Sequence, residues 1–350
     1  MTKILLFIIA ALISLNGTSA FGQNILQEYY NGDEAKMIAD ANSLVASPDP
    51  VFKNKQTYIP DVIEKEEEDF FNLTKIETKK FSLRDKATIN TYRFPSISNE
   101  IIIFVHGLKS SAAKYLKTCN YLQTSTQAEV YAIDLRGHGN SDGSPGDVKY
   151  INQYTDDLAD IIYTIKNENP DKKIILAGHS MGAGVILRYA MGNYKVKVNG
   201  YLLFAPHLGH NSPTMVQSKT TSKKAAESFM QINIQRIIGL KMLNELNQHE
   251  QDGLPVLFFN LPANVKLRQY TYRANMSMAP ENYTDGLKAI NAPLLVLIGG
   301  KDEAFNALLT KKAVTDNSKG ETEVIEEINH NGIRHNEKAF SIIKNWYQKL

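Results

Sequence analysis

The stretch Gly178-His179-Ser180-Met181-Gly182 decides the fold of this 350-residue chain. It follows the apolar run Ile174-Ile175-Leu176-Ala177, which predicts a buried strand. It precedes residues 183–190, whose apolar spacing predicts a helix packed on one face. The serine therefore lies on a sharp turn between a strand and a helix, where flanking glycines remove side chains that would crowd it.

This context makes the G-x-S-x-G pattern typical of the nucleophile elbow of serine hydrolases. Such a turn lifts the Ser180 hydroxyl above the sheet edge and directs the N-terminus of the following helix at the reacting carbonyl group. The five-residue pattern alone occurs by chance in many chains. The alternative is a glycine-rich turn that only packs a helix on a sheet.

The composition is typical of a globular protein, with 43% hydrophobic and 22% charged residues and a net charge of +2. Basic residues are dispersed among acids, so nothing indicates nucleic-acid binding. No His, Cys or carboxylate pair has metal-ligand spacing, and we expect neither a metal nor another cofactor. The single cysteine, Cys119, cannot form an internal disulfide and is predicted to be a small core residue.

Residues 1–22 have the pattern of a signal peptide, with Lys3, an apolar segment at 4–15 and small residues ending at Ala20. The apolar segment is shorter than the roughly 20 residues that span a bilayer. We therefore expect export to a periplasm or out of the cell, with cleavage after Ala20 or Gly22. A membrane anchor that is never removed is the alternative.

Residues 23–69 are predicted to form an extension that precedes the main domain at 70–350. Within the extension, the segment from Asp33 to Ala46 indicates one helix. The charge run at 64–69 is interpreted as a solvated turn or helix end without a chemical role.

The domain at 70–350 begins with two alternating segments, 74–83 and 87–94, which predict a hairpin. Continuous apolar runs follow at 101–105, 130–134, 174–177, 201–205 and 294–298, with a weaker one at 324–328. Runs without alternation are buried on both faces of a sheet. They predict an α/β fold with a mostly parallel central sheet flanked by crossover helices.

One crossover, at residues 206–293, is much longer than a single helix needs. We interpret about 207–290 as a helical cap inserted between two core strands, with helical stretches at 222–231 and 235–246. Five of the nine methionines lie in this crossover, and such flexible side chains suit either an apolar pocket wall or the core of the cap. A transient contact between the cap and a membrane surface is also expected.

The partners of Ser180 are sought at the carboxyl ends of the parallel strands, where such sheets present reactive groups. Asp302 is the first acid beyond its strand and is the candidate for orienting the base, with Glu303 as second choice. His330 follows the last predicted strand and is the candidate general base, with His335 as second choice. The order nucleophile, acid, base is that of α/β-hydrolases.

On these residues the chain resembles the α/β-hydrolase superfamily from about residue 74 to 350. Within it, the chain is similar to the lysophospholipase and monoacylglycerol lipase group, which is related to the serine aminopeptidases. Three segments carry the resemblance: the oxyanion loop at 104–108 (Phe-Val-His-Gly-Leu), the D-x-R-G-x-G-x-S loop at 134–143, and the elbow at 178–184.

The resemblance implies an oxyanion hole made by the backbone N–H groups of Leu108 and Met181. It also implies that His106 orients its loop rather than carrying a proton. The chain departs from the family pattern twice, since no proline follows Asp302 closely and Asn329 replaces the small residue that usually precedes the catalytic histidine.

We therefore expect a serine hydrolase that cleaves carboxylic esters, with monoacylglycerol or lysophospholipid-like esters as substrates, through an acyl-enzyme. A non-catalytic binding module on the same fold is one alternative. The other is a peptidase of the serine aminopeptidase type, which would need an acid in the cap to bind a free amino terminus. The acids available there are Glu227, Glu245, Glu250, Asp252, Glu281 and Asp285.

Overall fold

The computed structural model describes residues 29–52, 59–216 and 229–350. The predicted signal peptide lies outside these ranges, so export stays a prediction. Among the helices within these ranges, none combines the length and apolar character that crossing a membrane requires.

The described strands and helices follow one another in a mainly alternating order. The strands are β1 Glu77–Ser82, β2 Thr88–Phe94, β3 Glu100–Val105, β4 Glu129–Ile133, β5 Lys173–His179, β6 Gly200–Phe204, β7 Met230–Ile232, β8 Pro255–Phe259, β9 Gln269–Thr271, β10 Leu294–Gly299 and β11 Glu321–Ile325. The α-helices are α1 Glu34–Val45, α2 Val62–Leu73, α3 Leu116–Thr126, α4 Gln153–Glu168, α5 Met181–Ala190, α6 Ile234–Glu245, α7 Tyr272–Met276, α8 Tyr283–Lys288, α9 Ala307–Asn317 and α10 Glu337–Tyr347.

The central sheet has eight strands in the order β1-β2-β4-β3-β5-β6-β10-β11. The β1–β2 and β2–β4 pairs are antiparallel, and every other pair in this sheet is parallel. The predicted hairpin forms between β1 and β2, where Lys86 adopts a left-handed backbone with φ 68°. The mostly parallel α/β sheet predicted from the apolar runs is confirmed.

Two apolar cores cover the faces of this sheet. One packs α4 and α5 on the sheet, through residues such as Tyr154, Ile161 and Leu187. The other packs α3 and α10 on the opposite face, through residues such as Leu122 and Trp346. Cys119 is fully buried in this second core, which confirms its prediction as a small core residue. Burial also raises the pKa of its thiol.

The long insert between β6 and β10 contains both helices and strands. Helix α6 confirms the helical stretch predicted at 235–246. Of the stretch predicted at 222–231, residues 222–228 lie outside the described ranges, and Met230–Ile232 forms strand β7 instead of a helix. It pairs with β8 in an antiparallel three-stranded sheet, β7-β8-β9. Pairing with a strand distant in sequence thus overrides the local helical pattern.

The N-terminal extension is packed against this insert. Met37, Ala41 and Leu44 of α1 share a core with Ile238 and Met242 of α6. The two helices approach so closely that a Cβ atom on Gly239 would lie 2.6 Å from the Ala41 carbonyl oxygen. Of the five methionines in the insert, Met242, Met276 and Met278 are buried in cores, whereas Met215 and Met230 are exposed.

The charge run at 64–69 lies inside α2, and its interpretation as a solvated segment is wrong for Glu67. This carboxylate is fully buried. It accepts the backbone N–H groups of Lys117 at 2.6 Å and Thr118 at 3.0 Å, in the first turn of α3. It also lies 2.7 Å from Nε2 of His335. Helix N-termini hold unpaired N–H groups and partial positive charge, which explains why an acid is buried here.

We predict that Glu67→Ala lowers the free energy of unfolding by about 3 kcal/mol, because removing the carboxylate leaves two buried backbone N–H groups and the His335 ring without their partner. Urea denaturation measures the loss. The control is Glu68→Ala, since Glu68 is 53% exposed and pairs with Lys114 at the surface, where such pairs contribute at most about 1 kcal/mol. Equal effects of the two substitutions would contradict the structural role of Glu67.

Candidate active site

Ser180 lies on a strained turn between β5 and α5. Its backbone has φ 54° and ψ −116°, which costs a non-glycine residue about 1–3 kcal/mol. Hydrogen bonds hold it there: the Ser180 N–H donates to the Phe204 carbonyl at 3.0 Å, and the Ser180 carbonyl accepts from Gly184 and His207, each at 3.1 Å. The turn is thus fixed by β6, by the loop after it and by α5.

The two glycines of the elbow are required by close packing of backbone against backbone. A Cβ atom on Gly182 would lie 2.2 Å from the carbonyl oxygen of Val105, at the end of β3. One on Gly178 would lie 2.8 Å from the carbonyl carbon of Gly182. These distances account for the crowding expected from the sequence.

Asp302 and His330, from the loops after β10 and β11, form a hydrogen-bonded pair. Nδ1 of His330 lies 2.8 Å from Oδ2 of Asp302, whose side chain has no exposed surface. The other Asp302 oxygen accepts the N–H groups of Ala304 and Phe305, each at 2.8 Å. Because a carboxylate only accepts, Nδ1 carries the proton and Nε2 is left as the basic nitrogen.

The two second-choice residues have other partners. The Glu303 carboxylate accepts the backbone N–H of His330 at 3.0 Å, so it supports the main chain of the loop that carries this histidine. Both ring nitrogens of His335 face carboxylates, Glu66 at 2.9 Å and Glu67 at 2.7 Å. The geometry therefore favours Asp302 and His330, although the catalytic roles stay predictions.

A chain of hydrogen bonds joins the oxyanion loop, the elbow and the histidine loop. The Gly107 N–H donates to the Tyr115 hydroxyl at 3.1 Å, and this hydroxyl donates to Nδ1 of His179 at 2.9 Å. His179 in turn donates from Nε2 to the His330 carbonyl at 3.1 Å. Burial lowers the pKa of His179 well below its ordinary value, which keeps this imidazole neutral.

Sequence reasoning missed the supporting roles of Tyr115 and His179. His179 is the variable position of the elbow motif, and Tyr115 lies in an unremarkable helical pattern. Neither residue carries a local signal, because their roles arise from contacts between separate loops.

The predicted oxyanion donors occupy suitable positions in the chain. Met181 is the first residue of α5, where an N–H has no partner within its helix. Leu108 follows β3 in the loop that contains His106 and Gly107. His106 is fully buried, donates from Nδ1 to the Gly107 carbonyl at 2.8 Å and accepts the Leu135 N–H at Nε2. Burial lowers the pKa of His106 to about 4, which agrees with a neutral, loop-orienting residue.

The 134–143 loop is cross-linked by hydrogen bonds of buried side chains. The buried Asp134 carboxylate accepts the N–H groups of Ala112 at 2.7 Å and Asn140 at 3.0 Å. Arg136 binds Asp157 through two contacts of 2.8 Å each.

Within the described ranges, no group of three His, Cys, Asp or Glu side chains is arranged to hold a metal ion.

The family model described as serine aminopeptidase, S33, matches residues 97–338. The chain belongs to the serine aminopeptidase S33 family. A monoacylglycerol lipase of Mycolicibacterium smegmatis is 24% identical over 205 residues, which cover 58% of this chain and 70% of that relative. A probable alcohol acetyltransferase of Cyberlindnera jadinii is 32% identical over 106 residues, which cover 30% of this chain and only 28% of that relative.

Solved structures show the same fold. The crystal structure of a monoacylglycerol lipase from Paleococcus ferrophilus aligns with a TM-score of 0.53 and 20% identity, covering 79% of this chain and 99% of that protein. A putative aryl esterase from Burkholderia cenocepacia aligns with a TM-score of 0.55 and 18% identity, covering 78% and 98%. The α/β-hydrolase resemblance drawn from the three sequence segments is confirmed.

We predict that Gly182→Ala destabilises the S33 fold by about 2 kcal/mol and lowers activity about a hundredfold, because α5 must move away from β3 and carries Ser180 with it. Urea denaturation and ester hydrolysis measure the two effects. Gly253→Ala is the control, since its Cβ atom would meet no atom closer than 3.4 Å. Unchanged activity in Gly182→Ala would contradict the packing argument.

Proposed function

We propose that this carboxylic ester hydrolase uses Ser180 as nucleophile, His330 as general base and Asp302 as the residue that orients the base. The observation that carries the proposal is the 2.8 Å contact between Asp302 and His330 beside the elbow. The elbow and the histidine loop are joined directly, since His179, the neighbour of Ser180, donates to the His330 carbonyl.

In the proposed reaction, the Ser180 hydroxyl oxygen attacks the acyl carbonyl carbon while Nε2 of His330 takes its proton. The backbone N–H groups of Leu108 and Met181 stabilise the resulting oxyanion. The imidazolium then protonates the leaving alcohol, and Asp302 stabilises the positive charge in the meantime. Water, deprotonated by the same imidazole, then attacks the acyl carbonyl carbon. The bond to the Ser180 oxygen breaks, the imidazolium returns its proton to that oxygen, and the carboxylic acid is released.

The proposed substrates are monoacylglycerol or lysophospholipid-like acyl esters. The similarity to a monoacylglycerol lipase supports this class. Apolar side chains adjoin the catalytic pair: the ring of Phe305 lies 5.4 Å from that of His330, and Met215 pairs with Phe305 in an isolated β-bridge. An acyl chain would find apolar surface beside these residues.

We predict that Ser180→Ala lowers hydrolysis of p-nitrophenyl esters at least a thousandfold, since removing a nucleophile leaves only binding and oxyanion stabilisation. Rates are measured over a series from short to long acyl chains, together with labelling by a fluorophosphonate probe. Ser318→Ala, at the C-terminal end of α9, is the control and keeps full activity. Full activity of Ser180→Ala would overturn the assignment.

The peptidase alternative is favoured by the family description. Of the acids in the insert, Asp252 is buried and hydrogen-bonded to Asn244, Glu227 lies outside the described ranges, and Glu281 is exposed. An aminoacyl anilide assayed beside the esters separates the two activities. Faster turnover of the anilide would favour the peptidase, and failure of wild-type Ser180 to react with the fluorophosphonate would favour a binding module.

We further propose that the exposed apolar side chains near the Asp302 loop contact a lipid surface. Met215 and Val216 are 43% and 47% exposed, and Leu308, near the start of α9, is 74% exposed. Met215 and Val216 adjoin the segment after Asp302, because Val216 donates its N–H to the Ala304 carbonyl and Met215 pairs with Phe305. Leu308 follows this segment closely in the sequence. Exposed apolar side chains grouped in this way are typical of interaction sites.

We predict that Leu308→Ser lowers activity on long-chain esters in phospholipid vesicles several-fold but leaves hydrolysis of a water-soluble short ester unchanged. Ile97→Ser is the matched control. Ile97 is fully exposed in the loop before β3, so it lies at the amino ends of the parallel strands, whereas Ser180 lies at their carboxyl ends. An equal loss in both variants, or none in Leu308→Ser, would contradict contact at this face.

A further inference from the structure

A tyrosine from the insert reaches the oxyanion loop. Tyr270 lies in β9 and has no exposed surface. Its hydroxyl oxygen accepts the backbone N–H of Lys109 at 2.8 Å and lies 2.8 Å from Nε2 of His138. Nδ1 of His138 lies 2.9 Å from the Arg136 carbonyl oxygen. The insert and the two loops at 104–109 and 134–143 thus meet at the phenol of Tyr270.

The directions of these hydrogen bonds are fixed. The Arg136 carbonyl can only accept, so Nδ1 of His138 carries the proton and Nε2 must accept from the Tyr270 hydroxyl. The phenol oxygen is then the acceptor for Lys109. Burial lowers the pKa of His138 to about 3, so this imidazole stays neutral and keeps Nε2 as an acceptor at neutral pH.

Lys109 adopts a backbone conformation that needs such support. Its φ is 57°, in the left-handed region that disfavours residues with a side chain. Strained residues persist where surrounding contacts hold them. The Tyr270 hydroxyl supplies one such contact at the backbone N–H itself, so it helps to fix the peptide that joins Leu108 to Lys109.

Leu108 therefore lies between two backbone N–H groups that are each bound by a tyrosine. Gly107 donates to Tyr115 at 3.1 Å, and Lys109 donates to Tyr270 at 2.8 Å. The intervening N–H of Leu108 is the one assigned to the oxyanion. Fixing the peptides on both sides sets its direction before substrate arrives, and such preorganisation is what makes an oxyanion hole effective.

The position of Tyr270 is fixed by contacts of its neighbours Thr271 and Arg273 with residues 146–147. The Thr271 N–H donates to the Gly146 carbonyl at 3.0 Å, and the Thr271 hydroxyl donates to Asp147 at 2.7 Å. Arg273 binds the same Asp147 carboxylate at 2.7 and 2.9 Å. The phenol therefore has a defined position relative to the 134–147 segment.

We propose that Tyr270 is a positioning residue for the oxyanion hole, which couples the position of the insert to the direction of the Leu108 N–H. This inference rests on the proposed function. Displacing β9 would release Lys109, and the oxyanion hole would lose its preset geometry. The insert thus takes part in transition-state stabilisation without contacting the reacting atoms.

The test is Tyr270→Phe, which removes one oxygen atom and keeps the ring. We expect kcat on a short p-nitrophenyl ester to fall about tenfold, the effect of one lost hydrogen bond, with KM within twofold of wild type. Affinity for an alkyl trifluoromethyl ketone, which forms a tetrahedral adduct with the serine, should fall by a similar factor. Urea denaturation establishes that the variant is folded.

The matched control is Tyr272→Phe, two residues further along, because Tyr272 is also buried but lies in the core shared with α1. It should keep the wild-type kcat and ketone affinity. Unchanged kcat and ketone affinity in Tyr270→Phe would overturn the proposal, as would an equal loss in both variants. Fluorophosphonate labelling of wild type separates the two hypotheses, since absence of labelling would refute the proposed function itself.

Discussion

The structure depends on one strained residue held between a strand and a helix. Ser180 can keep its unfavourable backbone because α5 packs directly on the end of β3. Only a glycine at position 182 allows the two backbones to come so close. The same contact places the start of α5 at the carboxyl edge of the sheet. Since β10 and β11 end at that edge as well, their loops bring Asp302 and His330 to the serine's side of the molecule.

Neutral histidines connect the loops around this turn. His106, His138 and His179 are buried, and burial lowers the pKa of each, so each acts as one fixed donor and one fixed acceptor. A buried group that changed its protonation state would reverse the hydrogen bonds it makes. Stable tautomers therefore hold the loops in a single arrangement across the neutral pH range.

The elbow, the parallel strands and the Asp302–His330 pair could be predicted because each leaves a local signal: a motif, an apolar run, or a position just after a strand. Tyr270 and Glu67 could not be predicted in this way. Tyr270 contacts Lys109 across 161 residues, and Glu67 contacts His335 across 268. Such contacts follow from how loops meet in space, and an acidic run in sequence does not reveal which carboxylate is buried. Strand β7 was missed for the same reason, since its partner β8 is distant along the chain.

The core shared by α1 and α6 joins segments that are synthesised far apart in time. Ser47, just after α1, hydrogen-bonds to Asn233, just before α6, across 186 residues. The core partners that α6 offers to α1 are therefore synthesised only after about two thirds of the chain. Closing so long a loop carries an entropic cost that grows with the logarithm of its length. Docking of α1 therefore requires α6 to have been synthesised, and the insert acquires its complete core only when the two ends of that loop meet.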